Sequence, residues 1–206
     1  MKKTNLLLLL LVTAIALSAQ TPLLVVPTGH SSSIMSFMAS ADGKYYLTLG
    51  GDNLIKFWNE EGKEIRTIRV PDNKYLNLQL SPDNRQILAR GNYLEPKCWI
   101  LDAETGQEMA TLEGHTQGLQ YANWSPDGRL ILTASLDSTA LVWDAAKGVV
   151  LQRLTGHTDI IVAARFSPDG KLVATLSKDK TAQIWEVASG KMIQLLEAFG
   201  DLPNDL

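Results

Sequence analysis

Between residues 28 and 198 apolar positions arrive in short clusters of four to six, set apart by polar turn residues. Residues 120–124 form one such cluster, and Ser125-Pro126-Asp127-Gly128 follows it. Residues 130–134 form the next, and Asp137-Ser138 marks a second turn. Residues 139–143 and 149–154 complete a set of four, with Lys147-Gly148 between them. Clusters of this length bounded by turns read as β-strands rather than helices. Runs such as Leu130-Ile131-Leu132 are apolar without strict alternation, which fits strands buried on both faces by stacked sheets. Proline at the second turn position brings its fixed φ, and Asp-Gly tolerates the left-handed backbone that closes a hairpin. The pattern predicts an all-β protein.

The set of four recurs. Trp58, Trp99, Trp143 and Trp185 are spaced by 41, 44 and 42 residues, and the turn residues Asp42, Asp83, Asp127 and Asp169 by the same intervals. Gly-His pairs stand at 29–30, 114–115 and 156–157. His30 to Asp52, His115 to Asp137 and His157 to Asp179 are each 22 residues, and from each of these Asp residues to the next Trp is 6. Periods of this length are those of solenoid or propeller repeats.

On these residues the chain resembles the WD-repeat family of β-propellers, whose repeats of about 40–45 residues carry Gly-His and Trp-Asp near opposite ends. The resemblance covers residues 22–198 as four repeats, near 28–70, 71–112, 113–154 and 155–198. It implies a β-propeller of four-stranded antiparallel blades, here four WD-type blades forming a partial or open ring. Only Trp143-Asp144 is a literal Trp-Asp; the others read Trp58-Asn59, Trp99-Ile100 and Trp185-Glu186. Repeat 2 has Pro71-Asp72 for Gly-His and Tyr93 for the turn Asp, and Pro96 falls where its third strand is expected, predicting a bulge or an irregular strand.

The resemblance also implies a structural hydrogen-bond chain in which Trp143 donates to Ser135, Ser135 to His115 and His115 to Asp137. Trp185, Ser177, His157 and Asp179 form the equivalent set. Repeat 1 has His30, Asp52 and Trp58 but Gly50 in the Ser position, so its chain is expected to be incomplete, and repeat 2 keeps only Trp99. Ser135, His115 and Asp137 also spell a hydrolase triad. A nucleophile needs exposure and an oxyanion hole, whereas this set is repeated at a fixed period, so the structural role is expected. No catalytic, cofactor-binding or metal-ligating residues are assigned. By the same resemblance, the positions beside the turn Asp and after Gly-His form the partner-binding face: Gly51, Leu136 and Lys178, with Ser32, Gln117 and Asp159. A non-enzymatic protein–protein interaction scaffold is the function implied; the alternative is a regulatory propeller segment of a larger enzyme, for example a protease.

Composition narrows the partners. Lys plus Arg number 19 against 22 Asp plus Glu, for a net charge of −3. No basic cluster exists beyond Lys2-Lys3, which disfavours a nucleic-acid partner held through phosphates. Lys2-Lys3, the apolar run 6–17 and Ser18-Ala19-Gln20 predict a signal peptide over residues 1–19, of a bacterial pattern, and hence a periplasmic or secreted protein with no membrane span after cleavage. The run is too short to span a bilayer, which takes about 20 residues. Cys98 is the single cysteine, expected buried and inert, so no intrachain disulfide forms. Residues 23–26 read as a further strand ahead of the first Gly-His, and residues 199–206 as a disordered tail. With four repeats, the chain is expected to be the front part of a longer propeller or multidomain protein, half of a ring completed by a homodimer, or a closed ring of four.

Overall fold

The computed structural model describes residues 29–71, 74–92 and 94–197. The expected signal peptide, the strand at 23–26, Asp72, Tyr93 and the tail at 199–206 lie outside the described residues. Among those described there are sixteen strands and no helix. They form four antiparallel sheets in sequence order. Blade 1 holds β1 Ile34–Ala39, β2 Tyr45–Gly50, β3 Leu54–Asn59 and β4 Glu64–Arg69. Blade 2 holds β5 Asn77–Leu80, β6 Gln86–Arg90, β7 Lys97–Asp102 and β8 Glu108–Glu113. Blade 3 holds β9 Leu119–Trp124, β10 Leu130–Ser135, β11 Thr139–Asp144 and β12 Val149–Thr155. Blade 4 holds β13 Ile161–Phe166, β14 Leu172–Ser177, β15 Ala182–Glu186 and β16 Met192–Leu196.

The hairpin between the first two strands of each blade is built the same way. In blade 3, Ser125 Oγ donates to Asp127 Oδ1 at 2.7 Å, and the same carboxylate oxygen accepts the Arg129 N–H at 3.0 Å. Leu130 N–H closes the loop onto Ser125 Oγ at 2.9 Å. The fourth turn residue, Gly43, Asn84, Gly128 or Gly170, has φ between 61° and 72°, the region that glycine and asparagine enter at low cost.

The middle strands of blades 2 and 3 are buried on both faces because each of these blades is packed between two neighbours. Leu132, Val142 and Leu154 of blade 3 share a core cluster with Ile161, Ala164 and Val173 of blade 4. Leu47 and Leu78 join blades 1 and 2, and Leu88 and Ala122 join blades 2 and 3.

The arc ends abruptly on both sides. Ile34 and Phe37 of blade 1 are 41% and 50% exposed, whereas Leu119 and Ala122, at the same places in blade 3, are 1% and 7% exposed. On blade 4 Leu196 is 36% exposed, and its blade 3 counterpart Leu154 is 1% exposed. The four blades therefore form an open ring, which removes the closed ring of four.

Repeat 2 departs from the sequence reading in two ways. Pro96 precedes β7 instead of interrupting it, a place where its missing N–H leaves the ladder intact. Trp99 is also not in the position of the other repeat tryptophans. Trp58, Trp143 and Trp185 pair with Tyr46, Ile131 and Val173, and each sits at the bulge with its outer strand. In blade 2 that place is held by Leu101, which pairs with Ile87 and follows the bulge after Ile100. The hairpin between β6 and β7 is two residues longer than that between β10 and β11, because Arg90 pairs with Cys98 where Ala134 pairs with Ala140.

Candidate loop face and its supporting network

In blades 1, 3 and 4 a buried indole, hydroxyl, imidazole and carboxylate are bonded in series, but the hydroxyl is threonine, not the expected serine. Trp143 Nε1–H donates to Thr133 Oγ1 at 2.8 Å. Thr133 Oγ1 lies 2.8 Å from His115 Nε2, and His115 Nδ1 lies 2.9 Å from Asp137 Oδ2. A carboxylate only accepts, so the imidazole proton sits on Nδ1 and the Thr133 hydroxyl donates to Nε2. Every polar atom in the series is then satisfied, as burial demands. Trp185, Thr175, His157 and Asp179 repeat the geometry, with 2.9, 2.8 and 2.8 Å separations.

Blade 1 is complete, contrary to the sequence expectation. Trp58 Nε1–H donates to Thr48 at 2.8 Å, His30 Nε2 meets Thr48 at 2.7 Å, and His30 Nδ1 meets Asp52 at 2.8 Å. The chain does not pass through the serine position at all. Gly50 is in close quarters there, since a Cβ would collide with the His30 ring and the Asp52 carboxylate.

Blade 2 lacks the network. Leu101 replaces the indole and Ala89 the hydroxyl, and an apolar pair in place of both partners leaves nothing unsatisfied. Trp99 instead packs edge-on against Tyr75 at 5.2 Å between ring centroids. Lys74 Nζ lies over the Trp99 ring and pairs with the Glu108 carboxylate. Tyr75 donates to Glu108 at 2.5 Å, and burial together with that carboxylate raises the phenol pKa.

Ser135 and Ser177 do different work. Ser135 Oγ donates to the Gln117 carbonyl at 2.8 Å and accepts the Asp137 N–H at 3.1 Å. Ser177 Oγ donates to the Asp159 carbonyl at 2.9 Å and accepts the Asp179 N–H. Each serine thus ties the loop after Gly-His to the facing hairpin. Ser135 is not bonded to His115, whose Nε2 is engaged by Thr133, so the hydrolase triad is not assembled.

The aspartates anchor the same loops. Asp137 accepts the backbone N–H of Thr116 at 2.9 Å and both the N–H and hydroxyl of Thr139, at 3.0 and 2.7 Å. Burial pushes its pKa up. Hydrogen bonds from His115, Thr139 and Thr116 outweigh that and hold it well below the usual carboxylate range. The same contest, burial against bonds from Thr181, Thr158 and His157, lowers Asp179. Asp52 is lowered by His30, Ser31 and Leu54 against burial.

The structure brings the six positions expected on a partner face together in pairs. Gly51 N–H bonds to the Ser33 carbonyl at 2.8 Å beside Ser32. Leu136 N–H bonds to Gly118 at 3.0 Å beside Gln117, and Lys178 N–H to Ile160 at 2.9 Å beside Asp159. Ser32, Gln117, Asp159 and Lys178 are exposed; Gly51 and Leu136 are half-buried. One residue of this face was missed in the sequence. Leu94, on the lengthened β6–β7 hairpin, is 83% exposed, and the hairpin is pinned to blade 3 by the Leu119 N–H on the Glu95 carbonyl at 3.1 Å. The displaced Trp99 hid the two extra residues, while Leu101-Asp102 followed by Thr105-Gly106 matches the ending of Trp143-Asp144 with Lys147-Gly148.

The WD domain, G-beta repeat family matches residues 20–59, 106–144 and 148–186, more than half of the chain. The chain belongs to the WD-repeat family. The last two WD-repeat matches begin at the outer strand of one blade and end with the third strand of the next, so each sequence repeat links two blades. Blade 2, with neither His nor Thr in its network positions, is where the matches break. The chain is 35% identical to the target of rapamycin complex subunit wat1 of Schizosaccharomyces pombe over 97 residues, 46% of this chain and 30% of that protein. It is 32% identical to nuclear distribution protein PAC1 of Arthroderma benhamiae over 126 residues, 56% of this chain and 27% of that protein. WD repeat-containing protein 1 of Gallus gallus is 35% identical over 121 residues, 56% of this chain and 20% of that protein. The matched part spans less than a third of each of these relatives.

Proposed function

We propose that this WD-repeat chain is a non-enzymatic protein-interaction scaffold, and that it binds its partner on the face made by the loops after Gly-His and the hairpins between second and third strands. One observation carries the reading. In blades 1, 3 and 4 a surface loop and its facing hairpin are fused by one aspartate through the buried His–Thr–Trp series. A surface held this way presents side chains at low entropic cost to binding. Leu94 offers an apolar anchor, while Asp159 and Lys178 set charge complementarity.

The test is capture on immobilised chain, with the bound proteins identified and titrated. Reversing Asp159 and Lys178 together, or Leu94→Ser, should weaken capture at least tenfold. Arg129→Glu, at the opposite end of blade 3, should not. If Arg129→Glu abolishes capture and the other changes leave it intact, the partner uses the other face.

Lys2-Lys3 and the apolar run 6–17 support the reading that the scaffold is exported. Cell fractionation of the full chain beside one lacking residues 1–19 decides this: export lost with the segment supports it, and equal distribution refutes it.

A further inference from the structure

The two ends of the arc are the two halves of a contact that its interior makes three times. Strand register places Ala174, Ile184 and Leu196 of blade 4 where blade 3 has Leu132, Val142 and Leu154. Those three blade 3 residues are buried against blade 4, while Ala174 and Leu196 are exposed and Ile184 is half-buried. Register likewise places Ile34, Phe37 and Tyr46 of blade 1 where blade 4 has Ile161, Ala164 and Val173. The blade 4 set is buried, whereas Ile34 and Phe37 are exposed, with Phe37 stacked on Tyr46 at 5.9 Å between centroids.

The sizes at the two ends match each other and no internal junction. From blade to blade, a second-strand residue shares a core cluster with a first-strand residue of the next: Leu47 with Leu78, Leu88 with Ala122, Leu132 with Ala164. At the ends these positions hold Ala174, the smallest of its column, and Phe37, the largest of its own. An alanine opposite a phenylalanine conserves volume, as a packed core requires.

We propose that a second copy of this chain seats its first blade on the fourth blade of the first copy, and that the first copy's first blade is seated reciprocally. Two arcs of four then close an eight-blade ring with two-fold symmetry, at the upper end of common propeller sizes of about 4 to 8 blades. Two apolar faces leave water in one step. These contacts lie at the ends of the arc and do not involve the loop face.

Light scattering on a sizing column, with the full chain at micromolar concentration, tests it. The expected mass is twice the 22.6 kDa of one chain. Phe37→Arg and Ala174→Arg should each give the mass of one chain with an unchanged circular dichroism spectrum, since both side chains are exposed in a single arc. Ala174→Leu should weaken association at least tenfold, and Phe37→Ala in the same chain should restore it. A wild-type mass of one chain overturns the proposal, as does an open-ended polymer. A dimer indifferent to both arginine changes, or Ala174→Leu and Phe37→Ala acting additively, overturns it too.

Discussion

Trp143 donates its indole N–H to the Thr133 hydroxyl at 2.8 Å, and the two buried residues sit diagonally across neighbouring strands, two positions apart in register. The same hydroxyl must also serve His115, so a single oxygen couples the third strand of the blade to the loop before its first. Thr48 with Trp58 and Thr175 with Trp185 repeat the relationship.

Thr133→Val keeps the shape and removes the oxygen, leaving the indole donor and the imidazole Nε2 unpaired. Each orphaned buried group costs about 1–3 kcal/mol, so a loss of about 3 kcal/mol in urea unfolding is expected. Ser135→Ala should cost about 1 kcal/mol, because its partners are a loop carbonyl and N–H nearer the surface. A larger loss for Ser135→Ala than for Thr133→Val would contradict the assignment.

Gly50→Ser installs the residue that blades 3 and 4 carry. The new Cβ meets His30 and Asp52, so stability should fall by about 1–3 kcal/mol, the usual range for overpacking. A more stable protein would contradict the geometry.

The carboxyls of Asp52, Asp137 and Asp179 are lowered in the folded chain. A depressed folded pKa contributes stability that is present above the unfolded value, about 3.9, and is lost as pH falls through the folded one. Stability should therefore drop steeply below about pH 4. Asp137→Asn should be less stable near neutral pH and show a shallower acid slope. Parallel curves for variant and wild type would contradict the linkage.

Cys98 is fully buried in the core between blades 2 and 3, and burial pushes its thiol pKa up to about 12. It should ignore a thiol reagent at mildly alkaline pH until denaturant is added. Stoichiometric labelling of the folded chain would contradict its placement.

The repeat was legible because its turns use residues with special backbone demands. Ser125-Pro126-Asp127-Gly128 and Asp137 fix the ends of strands whatever lies between them, and the Gly-His and Asp spacing followed. Thr133 was missed because it stands inside Leu132-Thr133-Ala134, where a hydroxyl looks incidental. Yet Thr48, Thr133 and Thr175 each lie 18 residues after their histidine, a spacing as regular as those that were used. Blade 2 misled for a different reason. Trp99 falls on the expected period by virtue of a two-residue insertion, and only the pairing of Leu101 with Ile87 reveals the true register. The loop face depends on which backbone groups meet across two segments some twenty residues apart, and a periodic pattern alone does not give that.

The His–Asp anchors make an exposed face rigid. Native-state hydrogen exchange of the Ser31, Thr116 and Thr158 amides tests it most directly. All three are on exposed loop residues, and all three donate to the buried carboxylates of Asp52, Asp137 and Asp179 at 2.8 to 3.0 Å. Exchange as slow as in the central strands is expected, with Thr116 released in Asp137→Asn. Exchange of these amides at free-loop rates in the wild-type protein would contradict it.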